Sequence, residues 1–210
     1  PILRAVKTEH PDSWVFAEVI HGDYANFAAA SGVDSVTQYE LWHAIWDSLV
    51  NANFFSLEWT LGRHRRFCET FRPQTFIGNH DVTRIASRIT DHRHLPLAAA
   101  LLFLLPGIPS IYAGDEQGFT GEKEEHRRGD DAVRPAFPDT PEGLLPFGRD
   151  LFATYRELIG IRRRHPWLVD ADVTTADVTN TAITIQLSGA DGERLTLRLN
   201  IGEEPANGVE

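Results

Sequence analysis

The chain has 210 residues, 42% of them hydrophobic and 24% charged, which is an ordinary globular balance with room for one good-sized core or one domain and a small second one. Its formal net charge of -10 argues against a nucleic-acid partner, because no basic stripe is present to meet a phosphate backbone. The single cysteine, Cys68, excludes an internal disulfide and a thiolate metal cage, and the longest apolar run, Leu97 to Leu105, is too short to cross a membrane.

Taken in chain order, residues 1–10 read as a helix stopped by Pro11. "WVFAEVI", 14–20, is compact, aromatic and β-branched, which predicts a strand buried on both faces with Glu18 near its carboxyl end. A loop and short helix follow, then a weaker strand, "SVTQYE", over 35–40. Residues 40–64 carry Leu41, Ile45, Trp46 and Leu49 at helical spacing, and we expect this Trp-rich face to pack in the core. Cys68 is expected on a helix as a small apolar residue. "QTFIGN" is a third strand, Pro96 to Pro106 a buried helix, and "IPSIYAG", 108–114, a fourth strand. A polar loop over 115–146 leads into an amphipathic helix with Leu151, Tyr155, Leu158 and Ile159 on one side, ended by Pro166. The basic runs Arg63–His64–Arg65–Arg66 and Arg162–Arg163–Arg164 fall near helix ends, where cations are favoured, and are read as solvated.

The character changes beyond residue 166. "TAITIQL" and "LTLRLNI" alternate strictly around the turn "GADGE", which predicts an antiparallel hairpin with one wet face. We therefore expect an α/β unit over 1–168 and a β unit over 169–210. Strand and helix alternating through the first unit imply parallel strands with helical crossovers. Four such units are half of a (β/α)8 barrel or a complete small doubly wound sheet, and the pattern fits both.

Carboxylates at the carboxyl ends of parallel strands mark the face where such folds place their sites. Glu18, Asp81, and Asp115 with Glu116 hold such positions. Two carboxylates on one rim are the minimum equipment of glycoside hydrolysis. Glu18, with Trp14 and Phe16 nearby, suits a protonated general acid, and Asp81, beside His80 and Arg84, an ionised stabiliser of positive charge on a sugar ring. Asn79 and His80 could donate to sugar hydroxyls. Taken alone, a glutamate in a strand is a surface residue, and "NHD" at a strand-to-helix turn is as well explained by capping. Asp91, His92 and His94 are read as a solvated loop and not a metal site. "GDEQGFTGEK" lacks the Lys-Ser/Thr ending of a phosphate loop, so Asp115 and Glu116 are expected to organise the loop.

Three stretches, in this order, resemble the carboxyl-terminal half of the α-amylase family of retaining glycoside hydrolases: "FAEVIHGD", "FIGNHD" and "GIPSIYAGDEQG". "DDAVRPAFP" resembles the loop that follows the third, and the tail resembles the start of the family's carboxyl-terminal β-sandwich. The resemblance implies half of a (β/α)8 TIM barrel, strands 5–8 with their helices, followed by a truncated antiparallel β domain. It implies Glu18 as general acid/base and Asp81 as the third carboxylate. Asn79 and His80 would bind sugar, Arg84 would orient the carboxylates, and His21 would line the leaving-group side. The implied substrate is an α-linked oligosaccharide or polysaccharide, with no cofactor. A transferring or isomerising enzyme acting on sucrose, trehalose or maltose shares these motifs, and a non-catalytic sugar-binding relative is the rival.

The departure from the family lies at its nucleophile, an Asp after strand 4 in a G-x-R-x-D context, which does not occur here. Glu18 then has no covalent partner within the chain, and we expect the 210 residues alone to be inactive. The sequence holds no methionine, opens on Pro1 and closes on "ANGVE", and we expect both ends to be cuts. Any calcium would use ligands from the missing half, so no metal is predicted. A half barrel leaves open edges and an exposed inner face, so it is expected to self-associate or pair with its other half. No targeting signal is visible, and the lone cysteine favours a cytoplasmic setting only slightly.

Overall fold

The computed structural model describes residues 2–144, 146–202 and 206–209; Pro1, Leu145 at the end of the loop read over 115–146, residues 203–205 and Glu210 lie outside the described residues. Helix α1 (Ile2–Glu9) ends ahead of Pro11 and leads into β1 (Phe16–Ala17) and α2 (Tyr24–Ser31). Asp23 caps α2 by accepting from Asn26 N at 3.0 Å, and Gly32 closes it in the left-handed region at φ +74°. Asp23→Ala is expected to cost about 1 kcal/mol, read as a lower urea midpoint with an unchanged m-value.

β2 (Ser35–Val36) precedes α3 (Tyr39–Asn51) and α4 (Phe54–Cys68). The one helix expected over 40–64 is therefore two. Ala52 takes φ +50° and returns its N–H to Ser48 O, so the right-handed spiral cannot continue through it. The break also divides the tryptophans. Trp42 and Trp46 pack inward, as expected, whereas Trp59 on α4 is 66% exposed. Cys68 ends α4, where burial pushes its thiol up to about 12.

β3 (Gln74–Thr75), α5 (Ile85–Arg88), α6 (Leu95–Leu104) and β4 (Ile108–Pro109) complete the strand–helix alternation. β1 pairs with β2 in parallel, and β3 with β4 likewise. A parallel bridge, Thr37 to Gln74, with Gln38 N donating to Gln74 O at 2.9 Å, joins the two pairs. The strands thus stand in one parallel row in chain order. α6 is apolar all round and buried along its length, as a helix sandwiched between layers must be.

α7 (Pro146–Arg164) lays Leu151, Tyr155 and Leu158 on the core, with Tyr155 edge-on to Phe103 at 5.3 Å. A turn at Pro166–Asp170 opens the antiparallel sheet β5 (Asp172–Ala176), β6 (Ala182–Ser188), β7 (Arg194–Asn200) and β8 (Ala206–Val209). Ile183, Ile185 and Leu187 alternate inward and meet Leu195, Leu197 and Leu199 across the hairpin. The flanking strands β5 and β8 extend the predicted hairpin on both sides. One apolar cluster takes in α6, α7 and this sheet.

The basic runs do more than meet solvent. Arg63 pairs with Glu40, and Arg65 reaches across to Asp172 in the sheet. Arg162 donates to the carbonyls of Phe103 at 3.0 Å and Leu105 at 2.7 Å, and to that of Gly107. The first two lie at the end of α6, where carbonyls lack intrahelical donors. Burial foremost brings the Arg162 guanidinium down to about 10. Arg162→Leu strips three carbonyls of their donor and is expected to cost about 2–4 kcal/mol in chemical denaturation.

Candidate active site

Through β1 and the residues flanking it, Trp14, Phe16, Glu18 and Ile20 are exposed while the residues between them are half-buried, the alternation of an extended chain. Their face is open: Trp14 is 49% and Phe16 50% exposed, and Glu18 is exposed as well. The expectation of a strand buried on both faces, with Glu18 in apolar surroundings, is therefore corrected. Among the described residues β1 pairs only with β2, and its open face borders a cleft of about 200 Å³. Glu18, Asn79, His80 and Tyr112 line the cleft together with Phe16 and Phe76.

What holds Glu18 is a hydrogen-bond chain across three strand ends. Tyr39, which follows β2, donates its hydroxyl to Glu18 Oε1 at 2.6 Å. Asn79, beyond β3, donates Nδ2 to the Tyr39 Oη at 2.8 Å. Asn79 Oδ1 in turn accepts the backbone N–H of Asp81 at 2.8 Å. The Glu18 carboxylate is thus connected through two neutral side chains to the backbone of Asp81. Tyr39 is 7% exposed and sits edge-on to Phe76 at 4.8 Å and Trp42 at 5.8 Å. Burial first, then the bond to Glu18, pushes its hydroxyl well above the usual tyrosine range, so it remains a proton donor. The capping explanation of "NHD" does not apply, since α5 begins only at Ile85 and Asn79 closes a turn onto Asp81.

Asp81 meets a cation from the long loop. Arg134 Nη2 lies 3.1 Å from Asp81 Oδ1, while Arg134 Nε donates to His80 O at 3.1 Å. Arg134 also contacts Asp130 at 3.0 Å, and Asp130 pairs with Lys123 at 2.9 Å. The exposed His80 places Nε2 3.3 Å from Asp81 Oδ2.

Arg84 is not at the cleft, which corrects its expected contact with sugar and carboxylates. It is 1% exposed, and its Nη1 lies 2.9 Å from Asp115 Oδ1. It also donates to Ala113 O at 2.8 Å and Val133 O at 2.9 Å, and its guanidinium covers the Tyr112 ring at 3.9 Å. Arg84 therefore ties the turn after β3 to the loop after β4. Asp115 organises that loop, as expected, and its Oδ2 fills the space that a Cβ on Gly78 would need, at 2.2 Å. A side chain at position 78 would have to displace the Asp115 carboxylate. Glu116 likewise accepts from Gly114 N at 2.9 Å. His21 lies exposed in the bend after β1 and is not among the residues lining the cleft.

Among the described residues no group of three His, Cys, Asp or Glu side chains could hold a metal ion. His94, expected in a solvated loop, is buried with Nδ1 3.2 Å from Leu49 O. Tyr39 and Arg134 are the two site residues that sequence reasoning missed. Tyr39 carried a usable signal, being the first residue of the helix after the second strand and hence on the same rim. Arg134 reaches Asp81 from 53 residues away through an irregular loop, and no periodicity announces it.

A parallel strand–helix row with its polar residues gathered at the strand ends is the architecture of an α/β-barrel enzyme face. The family model described as the α-amylase catalytic domain matches residues 2–144, and the chain belongs to the α-amylase family. An α-amylase 2 of Dictyoglomus thermophilum is 25% identical over 169 residues, 78% of this chain and 30% of the relative. A cyclomaltodextrinase of a Bacillus species is 27% identical over 170 residues, covering 77% and 28%. Among solved structures, the α-amylase of H. orenii superposes with a TM-score of 0.81 at 18% identity over 97% of this chain and 46% of its own. A cyclic α-maltosyl-(1→6)-maltose hydrolase of Arthrobacter globiformis, in complex with its named sugar, gives 0.79 at 24% identity, over 94% and 44%. The chain thus spans under a third of these curated relatives and under half of these solved chains.

Proposed function

We propose that the chain supplies the acid/base and the transition-state-stabilising carboxylate of a retaining enzyme that cleaves α-glucosidic bonds. The observation that carries this is the hydrogen-bonded line from Glu18 through Tyr39 and Asn79 to Asp81 along one cleft. In this reading Glu18 protonates the departing glycosidic oxygen and then, as carboxylate, takes a proton from the incoming water or sugar hydroxyl. Asp81 faces the positive charge that develops on the ring, and Asn79 and His80 hold sugar hydroxyls. The same residues serve hydrolysis and transfer. An α-linked glucan is the substrate class, consistent with the sugars named for the similar structures.

The row β1 to β4 corresponds to strands 5–8 of an eight-stranded barrel, with residues 1–168 as the barrel part and 169–210 as the β unit. The covalent step needs a nucleophile about 5–5.5 Å from Glu18. The 210 residues contain no G-x-R-x-D stretch to supply it. The segment alone is therefore expected to leave a maltooligosaccharide intact, whereas protein that also carries the strand-4 aspartate turns it over. The test is reducing-end release by both, with Glu18→Gln beside the parent. Turnover by the segment alone that Glu18→Gln abolishes would refute the assignment of the nucleophile to another segment.

A further inference from the structure

We infer that Tyr39 is a positioning residue that dictates which oxygen of Glu18 carries the transferred proton, an inference that rests on the function proposed above. The reason is a one-way sequence of hydrogen bonds. The backbone N–H of Asp81 can only donate, and it donates to Asn79 Oδ1 at 2.8 Å. That fixes the amide orientation, so the other end of Asn79 is its NH₂, which donates to Tyr39 Oη at 2.8 Å. Tyr39 has a single proton, and its oxygen faces a donor on the Asn79 side. The proton is therefore directed to Glu18 Oε1, 2.6 Å away.

Glu18 Oε1 then accepts a hydrogen bond in both of its protonation states. A protonated Glu18 must carry its hydrogen on Oε2, the oxygen left free. When the glycosidic oxygen takes that proton, the carboxylate formed keeps the bond from Tyr39, and the two electrons of the broken O–H bond stay on Oε2. In the second half of the reaction Oε2 recovers a proton from the attacking water or hydroxyl. Tyr39 does not lose its own proton in either half, because burial beside a carboxylate strongly opposes its ionisation.

The bond also links Glu18 to Asp81. A shift of the Asp81 backbone is transmitted through Asn79 and Tyr39 as a loss of orientation at Glu18. Glu18 and the backbone of Asp81 are thus tied to one turn, residues 79–81, although they follow different strands.

The test uses the intact protein with its nucleophile, comparing the parent, Tyr39→Phe and Glu18→Gln. Tyr39→Phe keeps the ring that packs on Phe76 and removes only the hydroxyl. The lost donor leaves neither oxygen of Glu18 fixed, so the loss is expected where the leaving group needs the proton of Glu18. At neutral pH kcat/KM on a maltooligosaccharide should fall about tenfold, but hardly at all on an aryl α-glycoside whose leaving group needs no proton. Asn79→Ser, which withdraws the donor from Tyr39, should reproduce the leaving-group dependence. Equal losses on the two substrates in Tyr39→Phe, or no loss on either, while Glu18→Gln abolishes turnover of the maltooligosaccharide, would overturn the role of Tyr39 alone. Undiminished turnover by Glu18→Gln would overturn the proposed function and the role of Tyr39 with it.

Discussion

Glu18→Gln is expected to lower kcat/KM on a maltooligosaccharide by about 10²–10⁴-fold, the usual worth of a placed general acid. The amide has no transferable proton at neutral pH, so the leaving oxygen must depart as an alkoxide. Its carbonyl still accepts from Tyr39, whose bond to the parent carboxylate is 2.6 Å, so the surrounding network survives the substitution. Because Glu18 is exposed, unfolding transitions of parent and variant should coincide. Two measurements separate chemistry from folding. An activated aryl glycoside should recover most of the rate of glycosyl transfer to the enzyme, since that step needs no acid. The alkaline limb of the pH profile should vanish in the variant. Asp81→Asn should fall in rate on both substrates, since charge stabilisation is needed whatever the leaving group. Equal losses on both substrates in Glu18→Gln would reverse the two assignments.

The strand-end carboxylates were legible because both sit in short motifs at the ends of apolar runs. Their placement follows from topology: parallel strands put every carboxyl end on one face. The environment of Glu18 was not legible. An apolar run such as "WVFAEVI" gives no sign of whether its two faces are covered, which depends on the neighbouring strands. Here the face bearing Trp14, Phe16 and Glu18 is open. The break at Ala52 was hidden because the apolar spacing continues across it, and only a backbone angle reveals it. Arg84 misled for a different reason. An arginine three residues after an aspartate reads as its partner, yet the turn at 79–83 aims it at Asp115, 31 residues on. The cation that does meet Asp81 is Arg134, supplied by a loop whose path no local pattern encodes.

Arg84→Met is expected to destabilise the protein by about 3–5 kcal/mol, because it leaves a buried carboxylate without its counter-charge. Arg84 and Asp115 are each 1% exposed, and the guanidinium also satisfies the carbonyls of Ala113 and Val133. Removing Asp115 as well should restore part of the loss, since the remaining cost is then of hydrogen bonds and not of a stranded charge. A double-mutant cycle in urea reads this coupling directly. The loss must also depend on pH. Burial first pushes the Asp115 carboxyl from its usual 3.8 up to about 6, with Arg84 pulling it back down. A carboxyl raised in the folded state stabilises most below its unfolded value, and that contribution fades as pH rises through the folded one. In the parent this fading is complete above about pH 6. Without Arg84 the carboxyl moves higher still, so the fading continues into the neutral range. The gap in stability between parent and Arg84→Met should therefore be smallest near pH 4 and widen toward pH 8, by about 1.4 kcal/mol for each unit of added shift. A gap that is constant across this range would mean that Asp115 does not feel the charge of Arg84, and the loop after β4 would be held by the carbonyl bonds alone.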